Sequence, residues 1–333
     1  MSFGSFSSLP PPPPPYTRLY KHALESIFAH LCLSDLAQVS ATCRHWFEAV
    51  SSMRPIGVRF SVADRPLLLR SISNSLLVRH VSEFHLIGRL FNMSDLCTLI
   101  KQSKSLASLD LNGKRISVDD TCAIADAIKQ SKSLASVDMS RNQIYDDGAC
   151  AIAEAIKQST SLATVKLRCA GIGTVGATAI ANAIRQSQSL TEVDLSFNTT
   201  DDAGIIAIAR AIAQSKSLKT VGLTYNSIGD VGAAALAEAI KQSTSVTTVN
   251  LRQNRIGSIG AVAIAEAIKQ SNSLVEMDLG WNQIGEEGAF AIAHAIAQSN
   301  SLTKVDLSGN KNIAQGAAAI VEAIKQRKVA RKL

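Results

Sequence analysis

Residues 217–244, SLKTVGLTYNSIGDVGAAALAEAIKQST, form one unit of a repeat that decides the fold. The dipeptide Ser-Leu that opens this unit recurs along the chain in steps of 28 residues. Its leucines are Leu106, Leu134, Leu162, Leu190, Leu218, Leu274 and Leu302, and Val246 fills the remaining place. Self-similarity at a fixed period predicts an array in which each repeat packs against its neighbours.

Each unit changes its hydrophobic period once. The first half follows the pattern LxxLxLxxN, as at Leu218, Val221, Leu223 and Asn226. The second half has apolar residues at i, i+3, i+4 and i+7, as in the segment 149–156. A period of two followed by a period near 3.6 predicts a strand and then a helix in every repeat.

Polar residues at fixed places predict how each unit turns. An asparagine at the bend can bond main-chain groups that the turning backbone leaves unpaired. It recurs as Asn142, Asn198, Asn226, Asn254, Asn282 and Asn310. We expect helix N-caps at Asp146, Thr174, Asp202, Asp230 and Ser258.

These units resemble the ribonuclease-inhibitor class of leucine-rich repeats, which also occurs in NOD-like receptors. The resemblance covers about 106–326, with a shorter unit between Val81 and Ile100, while Lys114 and Ala170 replace the bend asparagine. It implies an α/β solenoid with a parallel sheet on the concave side and helices on the convex side. The predicted horseshoe, a short first repeat plus eight 28-residue repeats, spans 81–326.

The first 16 residues contain a run of prolines, Pro10 to Pro15, and are predicted to be disordered. The run is interpreted as a polyproline II spacer, or alternatively as a ligand for an SH3-type groove. Residues 54–80, rich in arginine, are predicted to be a connector, and 327–333 a basic tail.

Residues 17–53 carry three short amphipathic stretches and are predicted to be a small all-α domain. The segment resembles the F-box, whose pattern is matched at Ile27-Phe28, Leu31, Asp35-Leu36, Thr42-Cys43-Arg44 and Trp46. Tyr20-Lys21 replaces the usual opening Leu-Pro. The resemblance implies that a Skp-type linker subunit of a cullin–RING ligase binds Leu24, Ile27, Phe28, Leu31, Leu36, Val39 and Trp46. The alternative is a helical cap that covers the open edge of the solenoid.

The net charge of +7 is concentrated at the two ends of the chain. Residues 1–80 hold eight basic and four acidic side chains, the last nine hold five basic ones, and the region between is slightly acidic. We therefore expect no nucleic-acid partner. No stretch is apolar enough to predict a membrane span. The scattered cysteines Cys32, Cys43, Cys97, Cys122, Cys150 and Cys169 predict buried thiols and a cytoplasmic or nuclear location.

No motif of a catalytic, metal or cofactor site occurs, so we predict a non-enzyme without cofactor or metal. One exposed column reads Asp110, Asp138, Lys166, Asp194, Gly222, Asn250, Asp278 and Asp306. Its adjacent aspartates would lie about 5 Å apart, a spacing that retaining glycosidases use, but the column follows the repeat consensus and lies on an open sheet face.

Departures from the consensus point to a binding surface. The column just before the bend asparagine, here called the pre-asparagine column, reads Gly113, Arg141, Cys169, Phe197, Tyr225, Gln253, Trp281 and Gly309. Exposed aromatic and arginine side chains dominate binding hot spots. We predict a protein partner on the concave face at Arg141, Arg168, Glu192, Phe197, Tyr225, Arg252, Arg255 and Trp281. The alternative is that the rings are exposed without a function.

An F-box followed by leucine-rich repeats resembles a substrate adaptor of an SCF-type cullin–RING ubiquitin ligase. By this resemblance the chain is a non-catalytic adaptor whose repeats hold the protein to be ubiquitinated. One alternative is a repeat scaffold without a link to a ligase. Another is a GTPase activator like that of Ran, which shares the repeat class but has an acidic tail where this chain has a basic one.

Overall fold

The computed structural model describes residues 60–61, 83–85 and 93–330 of the chain. The chain divides into two compact units, Met1–Ala107 and Ser108–Leu333. In the first unit, strand β1 (Phe60–Ser61), within the segment predicted as a connector, pairs in parallel with β2 (Glu83–His85). Helix α1 (Met93–Gln102) follows and buries its apolar face, including Leu96 and Ile100. The proline-rich and F-box-like segments lie outside the described residues.

The second unit repeats a strand and a helix eight times. Its elements are β3 (Ser108–Asp110), α2 (Val118–Gln130), β4 (Ser136–Asp138), α3 (Tyr145–Gln158), β5 (Thr164–Lys166), α4 (Thr174–Gln186), β6 (Glu192–Asp194), α5 (Asp202–Gln214), β7 (Thr220–Gly222), α6 (Asp230–Gln242), β8 (Thr248–Asn250), α7 (Ser258–Gln270), β9 (Glu276–Asp278), α8 (Gly285–Gln298), β10 (Lys304–Asp306) and α9 (Ala314–Ala330). The strands form one parallel sheet in sequence order. Ser108 faces Ser136, so the 28-residue period of the sequence is the register of the sheet.

The core lies between the sheet and the helices. The central residue of each strand from β3 to β9 is buried, and the isoleucines and alanines of one helix face lie against it. Strands are spaced by about 4.8 Å, whereas helices need about 8–10 Å, so the repeats bend with the sheet on the inner side. The predicted fold class, a leucine-rich repeat solenoid, is confirmed.

The bend asparagines bond the backbone as predicted. Asn198 donates from Nδ2 to the carbonyls of Leu167 at 2.9 Å and Leu195 at 2.8 Å. Its Oδ1 accepts from the N–H of Ile172 at 3.0 Å. These bonds connect two successive repeats, so the asparagine column stabilises the stacking as well as each turn.

The predicted N-caps are wrong. Helices α4, α6 and α7 are preceded by a glycine at the cap position and have no side-chain cap of their own. At α4, Asp146 of the preceding helix takes this role: its Oδ1 accepts from the N–H groups of Gly173 at 2.7 Å and Gly176 at 2.9 Å. A carboxylate thus caps the helix of the next repeat, which sequence spacing within one repeat could not reveal.

Two helices are capped locally. Ser117 and Asp120 form a capping box at the start of α2, and Asp201 accepts from the N–H of Gly204 at the start of α5. The hydroxyl of Thr174 and the N–H of Gly204 hold the pKa of Asp201 below its ordinary value, because both bond the charged form.

The four cysteines of the described residues are free thiols. Cys97 is buried as expected, but Cys122 and Cys169 are exposed, because their repeat positions lie on the open helix surface and on a turn. Cys150, one repeat after Cys122, is half-buried. Burial raises the pKa of the Cys150 thiol, and the carboxylates of Asp146 and Asp147 raise it further.

We therefore expect iodoacetamide at neutral pH to alkylate Cys150 severalfold more slowly than Cys122. The reagent attacks the thiolate, and a raised pKa leaves a smaller thiolate fraction. Site-resolved mass spectrometry over time measures both rates in one sample. Equal rates, or faster reaction at Cys150, would contradict this placement.

Candidate partner-binding surface

The open face of the sheet is covered by charged side chains paired between strands. Arg168 lies 3.6 Å from Asp194, and Lys166 lies 3.7 Å from Glu192. Arg252 reaches over two strands, with its Nη1 3.7 Å from Asp278 and 3.1 Å from Asp306. Glu192, Arg168 and Arg252 of the predicted binding set therefore lie on this face, as expected, but they are engaged with neighbours.

The aspartate column on this face has a structural role. Asp138 Oδ1 accepts from the N–H of Ser140 at 2.9 Å, two residues further on. The same bond recurs at Asp110, Asp194, Asn250, Asp278 and Asp306. Where Lys166 replaces the acid, the hydroxyl of Ser140 accepts from the N–H of Arg168 instead. The carboxylates therefore satisfy backbone donors at the ends of the strands.

Asp306 shows the electrostatic consequence of these bonds. The N–H of Ser308, together with that residue's hydroxyl and the guanidinium of Arg252, holds the pKa of Asp306 below its ordinary value. Each of these groups stabilises the charged carboxylate. Asp306 therefore keeps its negative charge at neutral pH, which maintains its ion pair with Arg252.

The pre-asparagine column adopts a left-handed backbone in every repeat. Its φ angles are positive throughout: Gly113 +67°, Arg141 +58°, Cys169 +50°, Phe197 +59°, Tyr225 +56°, Gln253 +56°, Trp281 +56° and Gly309 +76°. This conformation favours glycine and costs other residues about 1 kcal/mol each. Six of the eight are nevertheless larger side chains, and such strain is concentrated at functional sites in proteins.

The column does not lie on the sheet face, where it was predicted. Each member follows the last residue of its strand by three positions, as Tyr225 follows Gly222. Arg141, Phe197, Tyr225 and Trp281 therefore lie on the loops at the carboxyl ends of the strands. The left-handed backbone causes the difference, because the chain has already turned away from the pleat. Arg255 lies on the same loops, just before helix α7.

Two rings of this column stack on each other, and the third, Trp281, lies against Gly309. Phe197 and Tyr225 stack with centroids 5.4 Å apart and an interplanar angle of 18°. The guanidinium of Arg168 lies 5.3 Å from the centroid of Phe197. Tyr225 is 58% exposed and Trp281 56% exposed. A side chain at Gly309 would meet the Trp281 ring at 2.6 Å, so that glycine makes room for the indole.

Tyr145 is an exposed ring that the sequence analysis did not select. It stands where four of the eight repeats have glycine, as at Gly229 and Gly257, and it has a φ of +53°. A side chain at Gly171 would meet the Tyr145 ring at 2.8 Å, so the ring lies against that glycine. The sequence could have pointed to Tyr145, because a tyrosine there departs from the glycine of other repeats.

Family models match the chain in two regions. An F-box-like model matches residues 21–54. A model described as Leucine Rich repeat matches six segments, 130–153, 158–181, 186–209, 214–237, 242–265 and 270–293. The chain is an F-box-like leucine-rich-repeat protein. The finer resemblance of its repeats to the ribonuclease-inhibitor class stays a prediction.

A search of curated proteins finds no match to this F-box-like leucine-rich-repeat protein. Among solved structures, the protein is similar to the actin-binding site 2 of leiomodin-1, with 19% sequence identity and a TM-score of 0.39. The match covers 46% of this chain and 89% of that one. At this level the similarity carries no argument about function.

The residues predicted to contact a Skp-type subunit are Leu24, Ile27, Phe28, Leu31, Leu36, Val39 and Trp46. They fall within the matched segment but lie outside the described residues, so their role stays a prediction.

Across 60–61, 83–85 and 93–330, no group of three or more His, Cys, Asp or Glu side chains could hold a metal ion. No helix in these ranges has the length and apolarity to cross a membrane.

Proposed function

We propose that this protein is a substrate adaptor of an SCF-type cullin–RING ubiquitin ligase. The observation that carries the proposal is the F-box-like match at residues 21–54 in the same chain as leucine-rich repeats. Both are interaction domains that perform no chemistry themselves. The arrangement closest to a catalytic site is the aspartate column. Its carboxylates bond backbone N–H groups, a structural role that agrees with a non-catalytic adaptor.

The F-box-like segment and the repeats would each bind a different protein. The F-box-like segment would bind a Skp-type linker subunit through the apolar side chains that match the motif. The repeats would hold the protein to be ubiquitinated, and the tether would raise its effective concentration near the ligase. For a protein with this role we expect a location in the cytoplasm or the nucleus.

The direct test is calorimetric titration of the full-length protein with a purified Skp-type subunit. We expect binding by the natural protein and at least a tenfold weaker affinity for Leu36→Asp, because a charge in an apolar contact is costly to desolvate. Leu36→Met, which keeps the volume and the apolar character, is the matched control and should bind normally. Circular dichroism checks that the repeats stay folded in both variants.

Absence of binding by the natural protein, or equal binding by Leu36→Asp, would remove the link to a ligase. The chain would then be a repeat scaffold without a link to a ligase.

A further inference from the structure

The loops between strands and helices carry a charge opposite to that of the neighbouring sheet face. They are the segments 113–116, 141–144, 169–172, 197–200, 225–228, 253–256, 281–284 and 309–312, here called the loop rim. The rim contains the basic residues Lys114, Arg115, Arg141, Arg255 and Lys311, and it contains neither Asp nor Glu. The rim cations lie in the first two, the sixth and the eighth repeats, at the carboxyl ends of the strands.

The sheet face beside the rim is acidic on balance. Taking each strand and the two residues after it, the acids are Asp110, Asp138, Glu192, Asp194, Glu276, Asp278 and Asp306. The basic residues of the same segments are Lys166, Arg168, Arg252 and Lys304. A long polyanion lying across both surfaces would be repelled by one of them, so the charge pattern fits a partner that contacts the rim alone.

The rim cations are available to a partner. Arg168 and Arg252 on the sheet face are paired with carboxylates, but within the described residues none of the five rim cations makes an ion pair. Arg141 and Arg255 are exposed. Among the carboxylates that follow the rim, Asp146 and Asp230 are engaged, since each caps the helix of the next repeat.

The middle of the rim is uncharged and aromatic. Phe197 and Tyr225, stacked on each other, lie between the repeats that carry Arg141 and Arg255. One face of Phe197 is covered by Arg168 and another by Tyr225, which leaves no slot for a nucleobase between the rings. The pair instead presents its exposed surface as a shelf for apolar side chains.

We propose that the loop rim binds an extended peptide segment of a partner protein, with carboxylates at both ends and apolar side chains between them. Arg141 and Arg255 are four repeats apart, roughly 19 Å at the spacing of parallel strands. An extended peptide covers this distance in about six residues. The inference rests on the proposed function, since this segment would belong to the protein that the adaptor recruits.

The test uses fluorescence anisotropy with the full-length protein and no ligase subunit. The probe is a labelled octapeptide with two glutamates at each end and leucine and phenylalanine between them. Two companion peptides carry glutamine or lysine in place of glutamate. We expect the acidic peptide to bind about tenfold more tightly than either companion, and its affinity to fall as salt is added. Equal binding of the three, or none by the acidic peptide, would overturn the proposal.

Charge reversal locates the site. Arg141→Glu with Arg255→Glu should weaken binding of the acidic peptide by about tenfold or more. The matched control is Lys132→Glu with Lys216→Glu, which changes the net charge equally but lies on exposed helix-to-strand loops. We expect the control to lose less than about twofold, because charges farther than a Debye length are screened. An equal loss in both double variants would overturn the proposed location.

Removal of the Phe197 and Tyr225 rings tests whether they contribute to peptide binding. Phe197→Gly with Tyr225→Gly should abolish binding of the same peptide while the repeats stay folded, because glycine suits the left-handed backbone at both positions. Unchanged binding would overturn the role of the rings. Tighter binding of a labelled single-stranded oligonucleotide than of the acidic peptide would show a nucleic-acid surface instead. Because no Skp-type subunit is present, these results are independent of the ligase link.

Discussion

Asn198→Ala is expected to lower the free energy of unfolding by about 3 kcal/mol or more. The side chain of Asn198 accepts from the N–H groups of Ala170 and Ile172 and donates to three carbonyls, all in the buried bend. Alanine would leave these backbone groups buried without partners, and each such group costs about 1–3 kcal/mol. Urea denaturation followed by circular dichroism measures the change.

Asn226→Ala is the matched comparison one repeat later. Asn226 donates from Nδ2 to Leu195 and Thr224, but its Oδ1 is buried without a partner. Its loss should therefore cost about half as much as the loss of Asn198, or less. If both variants lose the same stability, the stabilisation does not come from the side-chain hydrogen bonds of these asparagines.

Gly288→Val is expected to cost about 3 kcal/mol of stability, the second large effect. A Cβ at Gly288 would lie 2.7 Å from the Cβ of Ala261 and 2.8 Å from Cγ2 of Ile284. The Ala261 methyl cannot rotate away, so α8 would have to move from α7. Valine also has a better helix propensity than glycine, which makes the expected loss a steric effect.

Ala297→Val controls for the β-branched side chain on the same helix, because Ala297 is exposed. We expect a loss of less than about 1 kcal/mol from propensity alone. Thermal unfolding of both variants gives the comparison. Equal melting temperatures would show that α7 and α8 do not pack as closely as the structure has them.

The repeat pattern of the sequence predicted the solenoid because each strand and helix depends on local periodicity. Leu223 and Asn226 keep the same roles in the structure that the consensus predicts. Contacts between repeats were harder to predict from the sequence. Asp146 looked like the cap of its own helix, and only the offset of neighbouring helices brings its carboxylate to Gly173 and Gly176. The sequence spacing does not contain that offset.

The candidate surface was predicted in part. Phe197, Tyr225 and Trp281 were found as departures from the consensus, and the structure shows all three partly exposed with Phe197 and Tyr225 stacked. Their place on the loops was missed, because a left-handed backbone at Tyr225 cannot be recognised when the residue is not glycine. The pairing of Arg252 with Asp306 was also missed, because these residues are two repeats apart.

The adaptor function is tested most directly by bridging. A Skp-type subunit is immobilised, the full-length protein is added, and retention of the labelled acidic octapeptide is measured. We predict retention only when the protein is present, with loss for Leu36→Asp and, separately, for Arg141→Glu with Arg255→Glu. The natural protein and its Leu36→Met control could both bind the peptide in solution and yet fail to retain it on the immobilised subunit. That result would contradict the claim that this chain connects a ligase to its substrate.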